Sequence, residues 1–214
     1  MTLILRYMQN PDIPQVVTID HLAFTPPWSA RSYAYEVNES NYSHMLVLEH
    51  FDVPPPPSGI KRLVQSINGG REIESRIVGY GGLWYIMDEA HISTIAIHPE
   101  LRGRGWGEIL LAGMIRRSIT LGAHYIVLEV RVSNTVAQQL YQKYDFKTVA
   151  IKRKYYHNDG EDAYDMRLNL DDGGEYARSF APRYAHLLET HGFTDLYTET
   201  LPPRNRSQSD SSSA

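Results

Sequence analysis

The period of the apolar positions changes repeatedly along the chain, and the changes mark out short elements. Leu3, Ile4 and Leu5 open a brief β-run that ends at Tyr7. From Ile13 the spacing becomes helical, with Val16, Val17, Ile19 and Leu22 following, Asp12 placed to cap and Pro14 tolerated in the first turn. Phe24 to Trp28 is a stiff aromatic connection, and Ser29 is placed to cap a second helix through about Val37. Met45 to Glu49 and Ile77 to Ile86 read as strands, with Asp88-Glu89-Ala90 as the turn into the next. Between them, Pro54 to Pro57 exclude a central strand, Ile60 to Ile67 suits extra strand and Asn68-Gly69-Gly70 a turn. Residues 51–75 therefore predict an elongated hairpin insertion, its proline run a rigid spacer.

The longest continuous signal runs from His91 to Leu111. Ile92, Ile95 and Ile97 are β-branched, and His98-Pro99 ends the strand. Gly103, Gly105 and Gly107 alternate with Arg102, Arg104 and Trp106, and a helix follows through Ile109, Leu110, Met114 and Ile115 to a cap at Gly122. His124 to Val132 is the next strand, with Ile126, Leu128 and Val130 on one face and Val127, Glu129 and Arg131 on the other. Ser133 or Asn134 caps a helix carrying Ala137, Leu140, Tyr141 and Tyr144 on one side. A strand through about Arg153, a polar aromatic loop from Tyr155 to Asp162 and a last strand from Ala163 to Leu168 complete the pattern. Tyr176 to Leu188 has weak helical spacing interrupted by Pro182, and residues 201–214 are disordered by composition.

Composition narrows the function classes. The 214 residues are 42% hydrophobic, ordinary for a globular chain with a sizeable core. A net charge of −4 gives no reason to expect nucleic-acid binding. No cysteine is present, so disulfides, thiolate metal sites and a cysteine nucleophile are excluded. The histidines lack zinc-ligand spacing, and no metal is expected. No apolar stretch is long enough to span a membrane, and the first residues do not form a signal peptide, so a cytoplasmic setting is expected.

Two features carry chemistry. The glycine turn on a helix N-terminus suits an anion, because several N–H groups converge there and two arginines add charge; a merely flexible turn remains the other reading. Glu129 lies in an otherwise apolar strand, where a carboxylate needs a partner: Arg131 or a tyrosine is expected in a structural network.

Arg102-Gly103-Arg104-Gly105-Trp106-Gly107 resembles the Arg/Gln-x-x-Gly-x-Gly/Ala signature of the GNAT acetyltransferase superfamily. Leu128 to Asn134, Leu140-Tyr141, Tyr155-Tyr156 and Glu161-Asp162-Ala163 are similar to the ribosomal-protein alanine N-acetyltransferases. The resemblance implies an α+β fold of three layers, with a mixed, mostly antiparallel sheet flanked by helices and splayed central strands. It places the domain at 1–170, with 171–200 as an extension. It also implies acetyl-coenzyme A as co-substrate and a protein or peptide N-terminus, a ribosomal protein's in the family, as acceptor. The cofactor would be held by the backbone of Ile95, Ala96 and Ile97, by Arg102 to Gly107 and by Asn134. Glu129 would be general base, Tyr141 general acid, and Phe24, Pro27, Trp28, Tyr155 and Tyr156 the acceptor wall. The amine favours the same acceptor: near pH 7.5 about a quarter of peptide α-amines are neutral, against about one lysine in a thousand. A lysine or small-molecule amine acceptor, and a non-catalytic acyl-coenzyme A adaptor, are the alternatives.

Overall fold

The computed structural model describes residues 2–51 and 75–200. Apart from its ends, the expected 51–75 insertion lies outside them, as does the 201–214 tail. Strand β1 (Thr2–Tyr7) buries Leu3 and Leu5 and pairs antiparallel with β2 (Ser43–Phe51). Helices α1 (Ile13–Ala23) and α2 (Ala30–Asn38) lie between them in sequence. Ser29 caps α2 as expected, accepting from the Ser32 N–H. Asp12 does not cap α1. Its carboxylate accepts from the Arg6 guanidinium at 2.7 and 2.9 Å and from the Gln9 N–H at 2.8 Å, and a bidentate charged donor outcompetes helix amides.

Strands β3 (Ser75–Ile86) and β4 (Glu89–Ile97) form a hairpin. The turn is Met87-Asp88, not the expected 88–90. Met87 takes a φ of 55°, so the chain reverses in two residues and Glu89 and Ala90 already pair with Ile86 and Tyr85. Next come α3 (Trp106–Leu121), β5 (Tyr125–Arg131), α4 (Thr135–Lys143), β6 (Lys147–Tyr156) and β7 (Glu161–Asn169). β6 extends past Arg153, so Tyr155 and Tyr156 stand on its irregular end rather than in a loop; the register breaks between Lys152 and Tyr156, where Lys154 has a φ of 50°.

With a last short strand, β8 (Phe193–Asp195), the eight strands of the described residues form one sheet in the order β6-β7-β5-β4-β3-β2-β1-β8. β4–β5 and β1–β8 are parallel; the other pairs are antiparallel. Alternate positions of each strand feed opposite faces. Met45 and Val47 join the α1 and α2 core with Tyr33 and Tyr80, while Leu46 and Leu48 join the α3 core with Leu110 and Met114. The result is the three-layer, mostly antiparallel arrangement expected.

The 171–200 segment packs on the α3 side. Helix α5 (Glu175–His191) runs unbroken through Pro182, and β8 (Phe193–Asp195) adds to the edge beside β1. Pro182 is exposed, while Tyr176, Phe180, Tyr184 and Leu187 form a buried stripe at helical spacing. Burial of that stripe offsets the proline's lost hydrogen bond. Phe180, 2% exposed, stacks with Tyr176 and touches Tyr144 and Tyr184. Phe180→Ala should cost about 3 to 4 kcal/mol. Urea unfolding checks this; an unchanged midpoint would show that α5 unfolds separately from the sheet.

Candidate functional site

β4 and β5 pair only from Glu89 to His91, against Tyr125 to Val127. Beyond that point they part. β4 keeps its ladder with β3 and, among the described residues, leaves its other edge unpaired, and Ser93 is the extra residue of a bulge opposite Gly82 and Leu83. A cavity of about 520 Å3 occupies the gap. β4 contributes Ile92 to Ile95 to its wall, and β5 Leu128 to Arg131. Asn134 and Tyr141 come from the α4 region, Phe24, Pro26 and Trp28 from the α1–α2 connection, and Tyr155 and Tyr156 from β6. Eight of the residues singled out from sequence therefore converge: Phe24, Trp28, Ile95, Glu129, Asn134, Tyr141, Tyr155 and Tyr156. Pro27 does not line the cavity, although its neighbours Pro26 and Trp28 do, and the residues of 96–107 lie beyond its wall. Asn134 is the α4 cap, accepting from the Ala137 N–H at 3.2 Å.

Ala96 and Ile97 lead from the cavity to the glycine turn. Gly103 and Gly105 adopt φ of 79° and 78°, which glycine alone accommodates readily. Among the described residues, the amides of 103 to 107 donate to no other group of the chain. Five successive free N–H groups at the mouth of a 16-residue helix form a ready anion cradle. Arg102 is tied back to the Ile97 carbonyl at 3.2 Å, and Arg104 lies over the Trp106 ring. His191, the last residue of α5, stands against the same turn: a Cβ on Gly105 would come within 2.7 Å of its ring.

At the far side of the cavity, Glu129 does not pair with Arg131 or a tyrosine. His91 Nε2 donates to its Oε2 at 2.8 Å, and Lys152 Nζ donates to its Oε1. Arg131 is drawn instead to Asp159 and Glu161, each at 2.7 Å, and lies 3.8 Å over the Tyr156 ring. Burial opposes the ionised form of Glu129, yet the bonds from His91 and Lys152 outweigh burial and hold its carboxyl at about 2. The Tyr141 phenol faces the cavity, makes no hydrogen bond among the described residues, and is pushed up by burial. Burial likewise raises Tyr156 to about 12.

Sequence reasoning missed three residues. His91 and Lys152 are 38 and 23 positions from Glu129, so no local spacing links them. The third is Asp20, 1% exposed. It accepts from the Trp28 N–H at 2.6 Å, from the Tyr33 hydroxyl at 2.8 Å and from the Tyr80 hydroxyl. This knot fixes the aromatic connection to the sheet. An acid in the last turn of a helix, where the dipole disfavours it, was the available signal.

Residues 13–146 match the Acetyltransferase (GNAT) family. A relative from Bacillus subtilis, named as a putative ribosomal protein bS18-alanine N-acetyltransferase, is 34% identical over 167 residues, covering 78% of this chain and 95% of its own. The Salmonella typhimurium ribosomal protein bS18-alanine N-acetyltransferase is 35% identical, covering 70% and 84%. The crystal structure of the Escherichia coli ribosomal-protein-S18-alanine N-acetyltransferase superposes with a TM-score of 0.62 at 26% identity, covering 81% of this chain and 97% of that one.

The carboxyl of Glu129, about 2 in the fold, lies below that of an unfolded glutamate at about 4.3. Its bonds therefore stabilise fully above the unfolded value, and their contribution fades as pH falls toward 2. Glu129→Gln should be less stable than the parent at pH 7, by about 1 to 3 kcal/mol, and the gap should shrink below about pH 4. Urea unfolding at pH 7 and pH 3 measures it; an equal gap at both would show that His91 and Lys152 do not stabilise the ionised carboxylate.

Proposed function

We propose, from the premise that the chain belongs to the GNAT acetyltransferase family, that it transfers acetyl from acetyl-coenzyme A directly to the N-terminal α-amine of a protein, with the alanine of a ribosomal protein as acceptor. The observation that carries this reading is the gap between β4 and β5, lined by a carboxylate and a phenol, with β4 leading on to five free amides. The names of the relatives support the acceptor.

The residues present fit the donor. The free amides of 103–107 and the charge of Arg104 suit its phosphates, the unpaired edge of β4 at Ile95 to Ile97 its amides, and Asn134 a further polar contact. The thioester supplies the acetyl group, and the chain supplies order and protons. Holding amine and thioester in one gap removes much of the entropic barrier. Tyr141, pushed up by burial, stays protonated at neutral pH and can donate to the leaving sulfur. Glu129 stays ionised, so it attracts an ammonium and accepts a proton through water only on loan. A peptide α-amine needs little more, since its pKa is near 8. Phe24, Pro26, Trp28, Tyr155 and Tyr156 form the walls around the incoming N-terminus.

Peptides of differing first residue, each also offered with a blocked N-terminus, test the acceptor. Transfer to free alanine termini alone is the expected result. Transfer to blocked, lysine-containing peptides would overturn the N-terminal reading, and binding without transfer would favour an adaptor.

Two variants test the residues. Glu129→Gln should lower kcat on the order of a hundredfold with the donor's Kd unchanged; undiminished turnover would remove Glu129 from the reaction. Gly105→Asp should weaken donor binding at least about tenfold, by like charge at the phosphates and by collision with His191. An unchanged Kd would place the phosphates elsewhere.

A further inference from the structure

Lys152 is the least expected member of the site. It stands on β6, at the edge of the sheet, and its side chain crosses β7 to reach Glu129 on β5. There its ammonium meets Glu129 Oε1, Asp165 Oδ2 at 3.3 Å and the face of Tyr155, 5.6 Å from the ring centre. Two carboxylates and an aromatic face make a seat for any primary ammonium, because each favours a compact cation that can donate three hydrogen bonds. Glu129 and Tyr155 also line the cavity assigned to the acceptor.

An N-terminal α-ammonium is the same cation on a different stem. We infer that Lys152 is a tethered occupant of the acceptor's amine seat, and that a protein N-terminus binds by displacing the lysine from Glu129 and Asp165. The inference rests on the N-terminal reading of the proposed function and adds the means of recognition.

Displacement is energetically balanced. Its side chain is 39% exposed against 11% for Glu129, so the lysine head can swing to water on its flexible stem while the carboxylate stays sheltered. A partly exposed ion pair is cheap to open. One cation leaves as another arrives, so the two carboxylates are never left bare, and His91 keeps its bond to Oε2 throughout. A blocked N-terminus brings no cation and cannot compensate, so the seat selects free termini at the binding step, before any bond is made. Binding fills the seat; the ammonium then passes its proton through water to solvent, with Glu129 only relaying it, and the neutral amine leaves the seat to attack.

The test is binding by the full chain, with coenzyme A present, of an alanine-initiated peptide and of its N-acetylated twin. Lys152→Met should tighten the free peptide about threefold to tenfold and leave the blocked twin unchanged. Lys152→Arg, which keeps a cation on the carboxylates, should show no tightening. Weaker or unchanged binding of the free peptide by a folded Lys152→Met protein would overturn the inference. Should that variant fail to fold, the wild type still decides. Free peptide should raise the labelling of Lys152 by an amine-reactive reagent, read by mass spectrometry, and blocked peptide should not; labelling unmoved by free peptide overturns it. If the wild type transfers acetyl to N-termini but Lys152 fails these tests, only the displacement falls. If it transfers to none, the acceptor reading falls as well.

Discussion

The parting of β4 from β5 after three residue pairs governs the site, and its cause lies on the opposite edge of β4. β3 presents Gly79, Gly81 and Gly82 along its ladder with β4. A Cβ on Gly82 would come within 2.6 Å of the Ser93 hydroxyl, and one on Gly79 within 2.3 Å of Ile97 Cδ1. The missing side chains let β4 bulge at Ser93 and lie close against β3 while leaving its own far edge free. An unpaired interior strand edge is costly unless something completes it. The gap thus combines a shaped cavity with backbone groups that still need partners, which is what an elongated, amide-bearing ligand supplies.

Charge in the gap is arranged against the usual tuning of a catalytic carboxylate. A general base gains strength when burial raises its pKa toward the working pH. Here the hydrogen bonds from His91 and Lys152 reverse the effect of burial on Glu129 and leave a stable anion. That arrangement suits a substrate that arrives charged and sheds its proton readily, and suits a lysine poorly, because lysine would need a far stronger acceptor. The phenol of Tyr141 is tuned the other way, kept neutral by burial. One group remains charged and one remains protonated near neutral pH, and both line one cavity.

What could be read from sequence was what local spacing encodes. The glycine turn, the Gly122 cap, the Ser29 cap and the alternation that sets Glu129 opposite Leu128 and Val130 are all properties of neighbouring residues, and the structure shows each of them. The need of Glu129 for a partner was legible, but its identity was not. Arg131 lies on the same face two residues away, yet acids from the 156–161 turn claim it, while His91 and Lys152 arrive through strand order. The Asp20 knot was hidden for the same reason, since Tyr80 is 60 residues away. Pro182 argued against a continuous helix, and only the buried aromatic stripe of α5 overrules it. β8 has three residues, too few for a periodicity to be seen.

The C-terminal segment has a structural consequence at the anion cradle. Arg116 and Arg117 stand in the C-terminal half of α3. The first reaches Asp195 at 3.3 Å and lies over Tyr184; the second donates to the carbonyls of Tyr197 and Thr200. At the N-terminal end of the same helix, His191 closes on Gly105, and Glu108 is held by Lys143 and Tyr144. α3 is therefore clamped along its length by residues that follow the sheet's central strands in sequence. An amide row binds an anion well only if it is already ordered, because ordering it on binding would consume part of the affinity. The segment beyond Asp171 thus acts on the glycine turn in two ways, directly through His191 against Gly105 and indirectly by fixing the helix from which the turn projects.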